Sequence, residues 1–202
     1  MTNKLNENLI SNLILEKSKV LDIGCGNGQL LKFLEKTKYI NGQGIEISQK
    51  GVQECLTKGL SVIQGNADTD LIHFSNNAFD YVILSRTLQA THKPKNVLTE
   101  MLRIGRKCIV SIPNFGYWKC RLQILFYGTM PMTKSLSTPW YETENIHLCT
   151  IKDFIKICKL LNIVIEETYT NNDHTIKKLA HPYSYWHNLL SKESIFVIKK
   201  KK

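Results

Sequence analysis

Long apolar runs are missing from this 202-residue chain. No stretch approaches the roughly 18 apolar residues of a membrane span, and Met1 to Leu15 lacks a signal-peptide core. We therefore expect no membrane partner and a cytoplasmic location. Paired cysteines are missing too. The six cysteines, at 25, 55, 108, 120, 149 and 158, contain no C-x-x-C pair. That argues against a disulfide or zinc framework, hence no metal site, and for reduced, buried thiols. Acidic residues are scarce: 17 face 27 basic ones, for a net charge of +10. Lys199 to Lys202 supply four of the positive charges and are expected to form a solvated tail. The remainder is spread out, with 14 bases and 10 acids through Pro113 and 13 and 7 beyond it. No helix-turn-helix or RNA-binding signature accompanies this charge, so nucleic acid is not the expected partner. Internal repeats and low-complexity linkers are also absent. One domain over residues 1–202 is the expectation.

What the chain does contain is a strand–turn–helix signature near its start. The apolar run Val20-Leu21-Asp22-Ile23 leads into Gly24, Gly26 and Gly28, then into the helical spacing of Leu30, Leu31 and Leu34. Glycines at such a turn permit positive φ and let a ligand approach where a Cβ would clash. Glu46 ends the next apolar run, 46 − 22 = 24 positions past Asp22. Adjacent parallel strands end side by side, so Glu46 is placed to accept from ribose hydroxyls. A dinucleotide fingerprint reads G-x-G-x-x-G and faces a pyrophosphate. Here the third glycine comes one residue early and a carboxylate precedes the loop, which suits a cationic, phosphate-free nucleoside better. The pattern resembles motif I of class I S-adenosylmethionine (SAM) methyltransferases. That resemblance implies SAM, or S-adenosylhomocysteine, as the ligand of Asp22, Gly24, Gly26, Gly28 and Glu46. Cys25, within the loop, reads as a small residue filling a tight turn.

The rest of the chain predicts an α/β, Rossmann-like fold with a seven-stranded, mostly parallel sheet. Strands are expected at 20–23, 44–47, 60–64, 79–84, 108–112, 163–165 and 195–198. Ser48, Pro94 and Thr150 are expected to start helices. Leu5, Leu9 and Leu13 repeat every four residues and predict an amphipathic first helix. Asn66 and Ala67, in the loop after the third strand, are expected to face the adenine, with the Asn66 amide accepting from N6. Residues 114–149 break the rhythm. They carry Tyr117, Trp118, Phe126, Tyr127, Trp140 and Tyr141 with no clean period. An aromatic insertion beyond the fifth strand is expected to act as a lid over a ligand cleft.

The end of the fourth strand, Ser85-Arg86-Thr87-Leu88-Gln89, is where a methyl acceptor would be presented. It holds no Asn-Pro-Pro-Tyr sequence and no clear general base. His92 is nearest, and a loop histidine before a helix reads as structural or solvated. Transfer from a sulfonium needs positioning more than a base, so the lack is not decisive. Ser85, Tyr117, Trp118, Arg121, Tyr141 and His147 are the acceptor or lid candidates, with Arg121 or His147 suited to a carboxylate.

Phe79 to Ala90, Ser111-Ile112-Pro113-Asn114-Phe115-Gly116-Tyr117-Trp118 with Arg121-Leu122-Gln123, Gly128-Thr129-Met130-Pro131 and Trp140 to Thr150 together resemble the MetW family of methionine biosynthesis. The likeness runs from about residue 5 to 198. Asn66 stands where the family usually has Asp, Glu144 where it has Pro, and Ser137 where proline is common. The resemblance implies a class I methyltransferase fold and homoserine O-acyltransferase as a partner needing this protein for full activity. It brings no defined methyl acceptor. Two main readings follow: a SAM-binding accessory protein of that enzyme, and a SAM-dependent methyltransferase acting on a small molecule; the basic charge adds a third and weaker one, an RNA-modifying enzyme.

Overall fold

The computed structural model describes residues 2–133, 136–172, 175–181 and 184–201. Helix α1 (Thr2–Leu13) precedes a first series, β1 (Lys19–Ile23), α2 (Gln29–Lys38), β2 (Asn41–Glu46), α3 (Gln49–Thr57) and β3 (Val62–Gln64). A second series follows: β4 (Phe79–Ser85), α4 (Pro94–Ile104) and β5 (Gly105–Pro113). The strand order is β3-β2-β1-β4-β5, with every pairing parallel. The chain thus winds outward from β1 in one direction and resumes at β4 in the other. Such a reversal leaves a crevice at the carboxyl ends of β1 and β4, where α/β folds hold their ligands.

Alternation along the buried strands assigns side chains to two layers. Val82 and Leu84 point to the side where α4 packs Val97, Leu98 and Met101. Tyr81 and Ile83 point to the opposite side, against Leu31 and Leu34 of α2, Ile10 of α1 and Ile14 just past its end. The buried face of α1 is therefore Asn6 and Ile10, continued by Ile14, while Leu9 and Leu13 pack only partly. The expected leucine stripe is rotated by one residue. Ser48 and Thr150 cap their helices through side-chain oxygens, accepting from Gly51 N–H at 3.3 Å and Asp153 N–H at 3.1 Å.

Beyond β5 lie α5 (Trp118–Tyr127), α6 (Ile151–Leu160), β6 (Ile163–Asn171), β7 (Ile176–Lys178), α7 (Tyr185–Leu190) and β8 (Glu193–Lys200). β8 pairs antiparallel with both β5 and β6, and β7 with β6. Among the described residues the sheet has eight strands rather than the seven expected. β7 is three residues long, too short to show alternation, and β6 continues six residues past Ile165. Helix α5 escaped the periodicity reading because it is apolar nearly all round: Leu122, Leu125, Phe126 and Tyr127 are exposed and Cys120 is buried. Lys199 and Lys200 belong to β8, and Lys199 pairs with Glu166 at 2.5 Å, so the basic tail is shorter than expected. Lys202 lies outside the described residues. No described helix is long and apolar enough to cross a membrane.

Asn114 fastens the insertion to the sheet. Its Nδ2 donates to the carbonyls of Asn188 (2.8 Å) and Ser191 (2.7 Å), and its Oδ1 accepts from Gly116 N–H (2.9 Å) and Ile151 N–H (3.3 Å). All four lone partners are backbone groups around a side chain only 1% exposed. Asn114→Ala is expected to lower the unfolding free energy by about 3 kcal/mol, because buried donors and acceptors lose their partners together. A urea midpoint unchanged within error would contradict this network's importance.

Candidate functional site

The site begins with the turn between β1 and α2. Gly24, Gly26 and Gly28 all take positive φ, at +68°, +56° and +74°. At Gly24 a Cβ would stand 2.5 Å from Thr87 Cγ2, because the loop presses against the turn after β4. At Gly26 a Cβ would meet no protein atom within 4 Å, so this glycine leaves open space beside the backbone. Gly28 plays a different part: it caps α2 and packs against Leu60 and Cys55, lining no cavity at this site.

Glu46, at the tip of β2, bridges this loop to the start of α3. Its Oε2 accepts from Gly26 N–H and its Oε1 from Ser48 N–H, both at 2.9 Å. Asp22, at the tip of β1, is 2% exposed, and its Oδ1 has no hydrogen-bond partner among the described residues. Burial, with a smaller contribution from the nearby Glu46 charge, pushes its pKa up to about 7. A half-neutralised carboxyl in this position is poised for a cation, whose arrival would favour its ionised form.

Two cavities meet at the loop. The larger, about 500 Å³, lies between Glu46 on one side and Asn66, Ala67 and Asp68 on the other, with Ser85 and Thr87 at its floor. The smaller, about 280 Å³, lies toward α1 and is lined by Asp22, Cys25 and Gln29 with Asn6 and Glu7. Gly24, Gly26, Asn27, Ser85 and Arg86 line both. Asn66 is already engaged in its own turn: its Oδ1 accepts from Asp68 N–H at 2.9 Å, and its N–H donates to Asp70 Oδ2 at 2.8 Å. Asp68 caps the approach to α4, accepting from the backbone of His92 (2.9 Å) and Lys93 (2.7 Å). His92 lines the larger cavity in this way.

The acceptor and lid candidates scatter. Ser85 faces the cavities and lies 3.2 Å from Ser111 Oγ. Tyr117 is buried in a small cluster with Cys120 and Leu136. Trp118 and Arg121 sit on exposed turns of α5, where Arg121 Nε donates to Gly116 O at 2.7 Å. Tyr141 lines a separate cavity of about 760 Å³ inside the insertion. His147 is exposed, and only its backbone N–H, bound to Gln89 O at 2.9 Å, is held near the site. Of these six, Ser85 alone lines the cavities at the glycine loop.

Arg86 is the site residue that motif reading leaves out. It adopts φ +55° at the end of β4, a left-handed conformation unusual for a bulky side chain. Its guanidinium is clamped by Glu193, with Nε–Oε1 at 2.8 Å, and Glu193 is 1% exposed. The two lie 107 positions apart, so no local pattern announces the pair.

All six cysteines are free thiols, five of them buried. Cys25 and Cys55 approach to 4.0 Å beneath the loop, and burial pushes both thiols upward in pKa. Neither is activated as a nucleophile.

Sheet order, glycine loop and paired acidic strand tips define a Rossmann-like fold of the class I SAM methyltransferase type. Solved structures agree on the fold. The chain superposes on a SAM-dependent methyltransferase of Thermotoga maritima with a TM-score of 0.69, at 16% identity, covering 99% of this chain and 90% of that one. A SAM-dependent methyltransferase of Mesorhizobium loti gives 0.67, at 14% identity and 96% of both chains. The cyclase SpnF gives 0.67 as well, at 16% identity over 97% and 80%, so the fold alone does not dictate methyl transfer. More particularly, the chain belongs to the MetW family: the family described as methionine biosynthesis protein MetW matches residues 4–198. The bifunctional methionine biosynthesis protein MetXA/MetW of Rhodopirellula baltica is 35% identical over 176 residues, 83% of this chain. The chain spans only 28% of that relative's length.

Proposed function

We propose that this protein binds SAM at the glycine loop and serves as an accessory subunit that supports homoserine O-acyltransferase in methionine biosynthesis. The observation that carries the ligand assignment is the buried, unpartnered Oδ1 of Asp22 beside the shared cavities. The residues fit the group. Glu46 and the backbone around Asn66 and Ala67 flank a space for the nucleoside, and Gly26 leaves it room. Asp22 offers the missing counter-charge for the cationic amino-acid end. Glu46→Ala is expected to weaken SAM binding by about 1.5–3 kcal/mol, the value of hydrogen bonds to a charged group. An unaltered calorimetric affinity would mean that the ribose is held elsewhere.

Support for the accessory role comes from the Rhodopirellula relative, whose name joins MetW to MetXA in one polypeptide, and from the insertion. Twelve large apolar side chains between Trp118 and Leu148 are exposed, Leu125, Phe126 and Tyr127 by more than 70%. Contiguous apolar surface rimmed by polar residues marks protein contact sites. The strap Glu144 to His147 is also bound through its backbone to Gln89 O, in the turn that follows β4, and its Glu144 lines the loop cavity. Mixing the purified protein with the acyltransferase tests the proposal: co-elution and a faster acylation rate are expected. Neither would be seen if the reading is wrong. Accumulation of S-adenosylhomocysteine from SAM in extract would favour the small-molecule methyltransferase instead.

A further inference from the structure

The strap has two sides. Thr143, Asn145 and Ile146 line the 760 Å³ cavity of the insertion, whereas Glu144, between them, lines the larger cavity at the glycine loop. One stretch of backbone is therefore a wall of both spaces. Its attachment is slight. The N–H groups of Ile146 and His147 share one acceptor, Gln89 O, at 2.8 and 2.9 Å, and Asn145 N–H donates to Thr143 Oγ1 at 3.2 Å. Gln89 is the middle residue of the short turn Leu88–Ala90, and Ala90 and the following Thr91 line the loop cavity.

The chemistry of the two sides differs. Around the loop cavity stand Glu46, Glu54, Asp68 and Glu144 with Lys50, Arg86 and His92. No charged residue lines the insertion cavity among the described residues; Phe115, Met130, Met132, Trp140 and Tyr141 share it with uncharged polar side chains such as Gln123, Thr138 and Asn145. A space of that kind favours an uncharged group over an ion. It is also continuous with the exposed face of α5, since Gln123 and Thr129 line both this cavity and the groove beside Trp118 and Leu122.

Resting on the function proposed above, we infer that the strap couples the two sites: an uncharged side chain of the acyltransferase seats in the insertion cavity, and this raises the affinity of the loop cavity for SAM. Either occupant fixes the common wall, so the second meets a wall already in place. Thermodynamic linkage makes the effect mutual. SAM then reports the pathway's downstream state to the enzyme at its head through Glu144 rather than through methyl transfer.

Calorimetry on the full chain tests this with SAM, with purified acyltransferase, and with both. The expected result is roughly five- to tenfold tighter SAM binding at saturating acyltransferase, and the same factor for acyltransferase binding at saturating SAM. In Glu144→Ala the factor is expected to fall to about twofold or less, while affinity for the acyltransferase without SAM stays at the wild-type value. That retained affinity shows the variant is folded. Measurable binding of both partners with a factor of one overturns the coupling and leaves the accessory reading intact. A factor unchanged in Glu144→Ala overturns the strap as its carrier. Failure of either partner to bind the wild-type chain overturns the accessory reading and this inference together.

Discussion

Asp22→Asn is expected to stabilise the ligand-free protein while abolishing tight SAM binding. The carboxyl of Asp22 titrates near 7 in the folded chain because burial disfavours its charge, whereas an unfolded aspartate titrates near 3.9. Between those values the native state holds the proton and the unfolded state does not. Stability contributed by this group is therefore full below about pH 4, declines as pH rises toward 7, and is flat above. The decline amounts to on the order of 4 kcal/mol, and asparagine is free of it. Allowing for the amide's own unsatisfied burial, the variant should gain about 2–4 kcal/mol at pH 8 and show no gain at pH 4. Binding runs the other way. A cationic ligand favours ionised Asp22, so wild-type affinity should tighten as pH rises toward 7 with release of a proton, then level off. The variant should bind SAM some 10- to 100-fold more weakly and without that pH dependence. Urea titrations and calorimetry at pH 5 and 8 decide it. A variant with wild-type affinity and parallel pH profiles would place the counter-charge elsewhere.

Arg86→Met should be the most destabilising exchange near the site. It leaves the carboxylate of Glu193, 1% exposed, without the guanidinium that holds it. Removing one partner of a buried ion pair costs about 3–5 kcal/mol, far more than the pair itself contributes. The double variant Arg86→Met, Glu193→Leu should recover most of that loss, since two apolar groups replace two charges of similar volume. The comparison of urea midpoints for the single and double variants checks the prediction. Equal losses in both would show that the stranded carboxylate is not what destabilises the single variant.

The parts of this molecule that could be read from sequence are those written within about thirty residues. Asp22, the glycine loop and Glu46 form one βαβ unit, so spacing alone placed both carboxylates at neighbouring strand tips. Ser48, Pro94 and Thr150 announced their helices by cap chemistry that depends on three or four adjacent positions. What depends on distant pairing was hidden. Arg86 meets Glu193 only because β8 returns antiparallel beside β5. The insertion misled in another way. Its aromatic residues predict a lid over the cleft, yet Tyr141 lines a chamber of its own and Tyr117 is packed inside a satellite cluster. Helix α5 was unreadable because its few polar residues, Lys119, Arg121 and Gln123, do not gather on one face, so it has no clear period.

The outermost strands of the sheet, β3 and β7, are three residues each, and β7 carries Lys177 and Lys178. So short a border, with ammonium groups along β7, offers little template for another chain's backbone. Association by intermolecular β-augmentation is thereby disfavoured at both margins. Whatever this protein assembles with must be gripped by side chains, and the greasy helix beyond the fifth strand is where they are on offer.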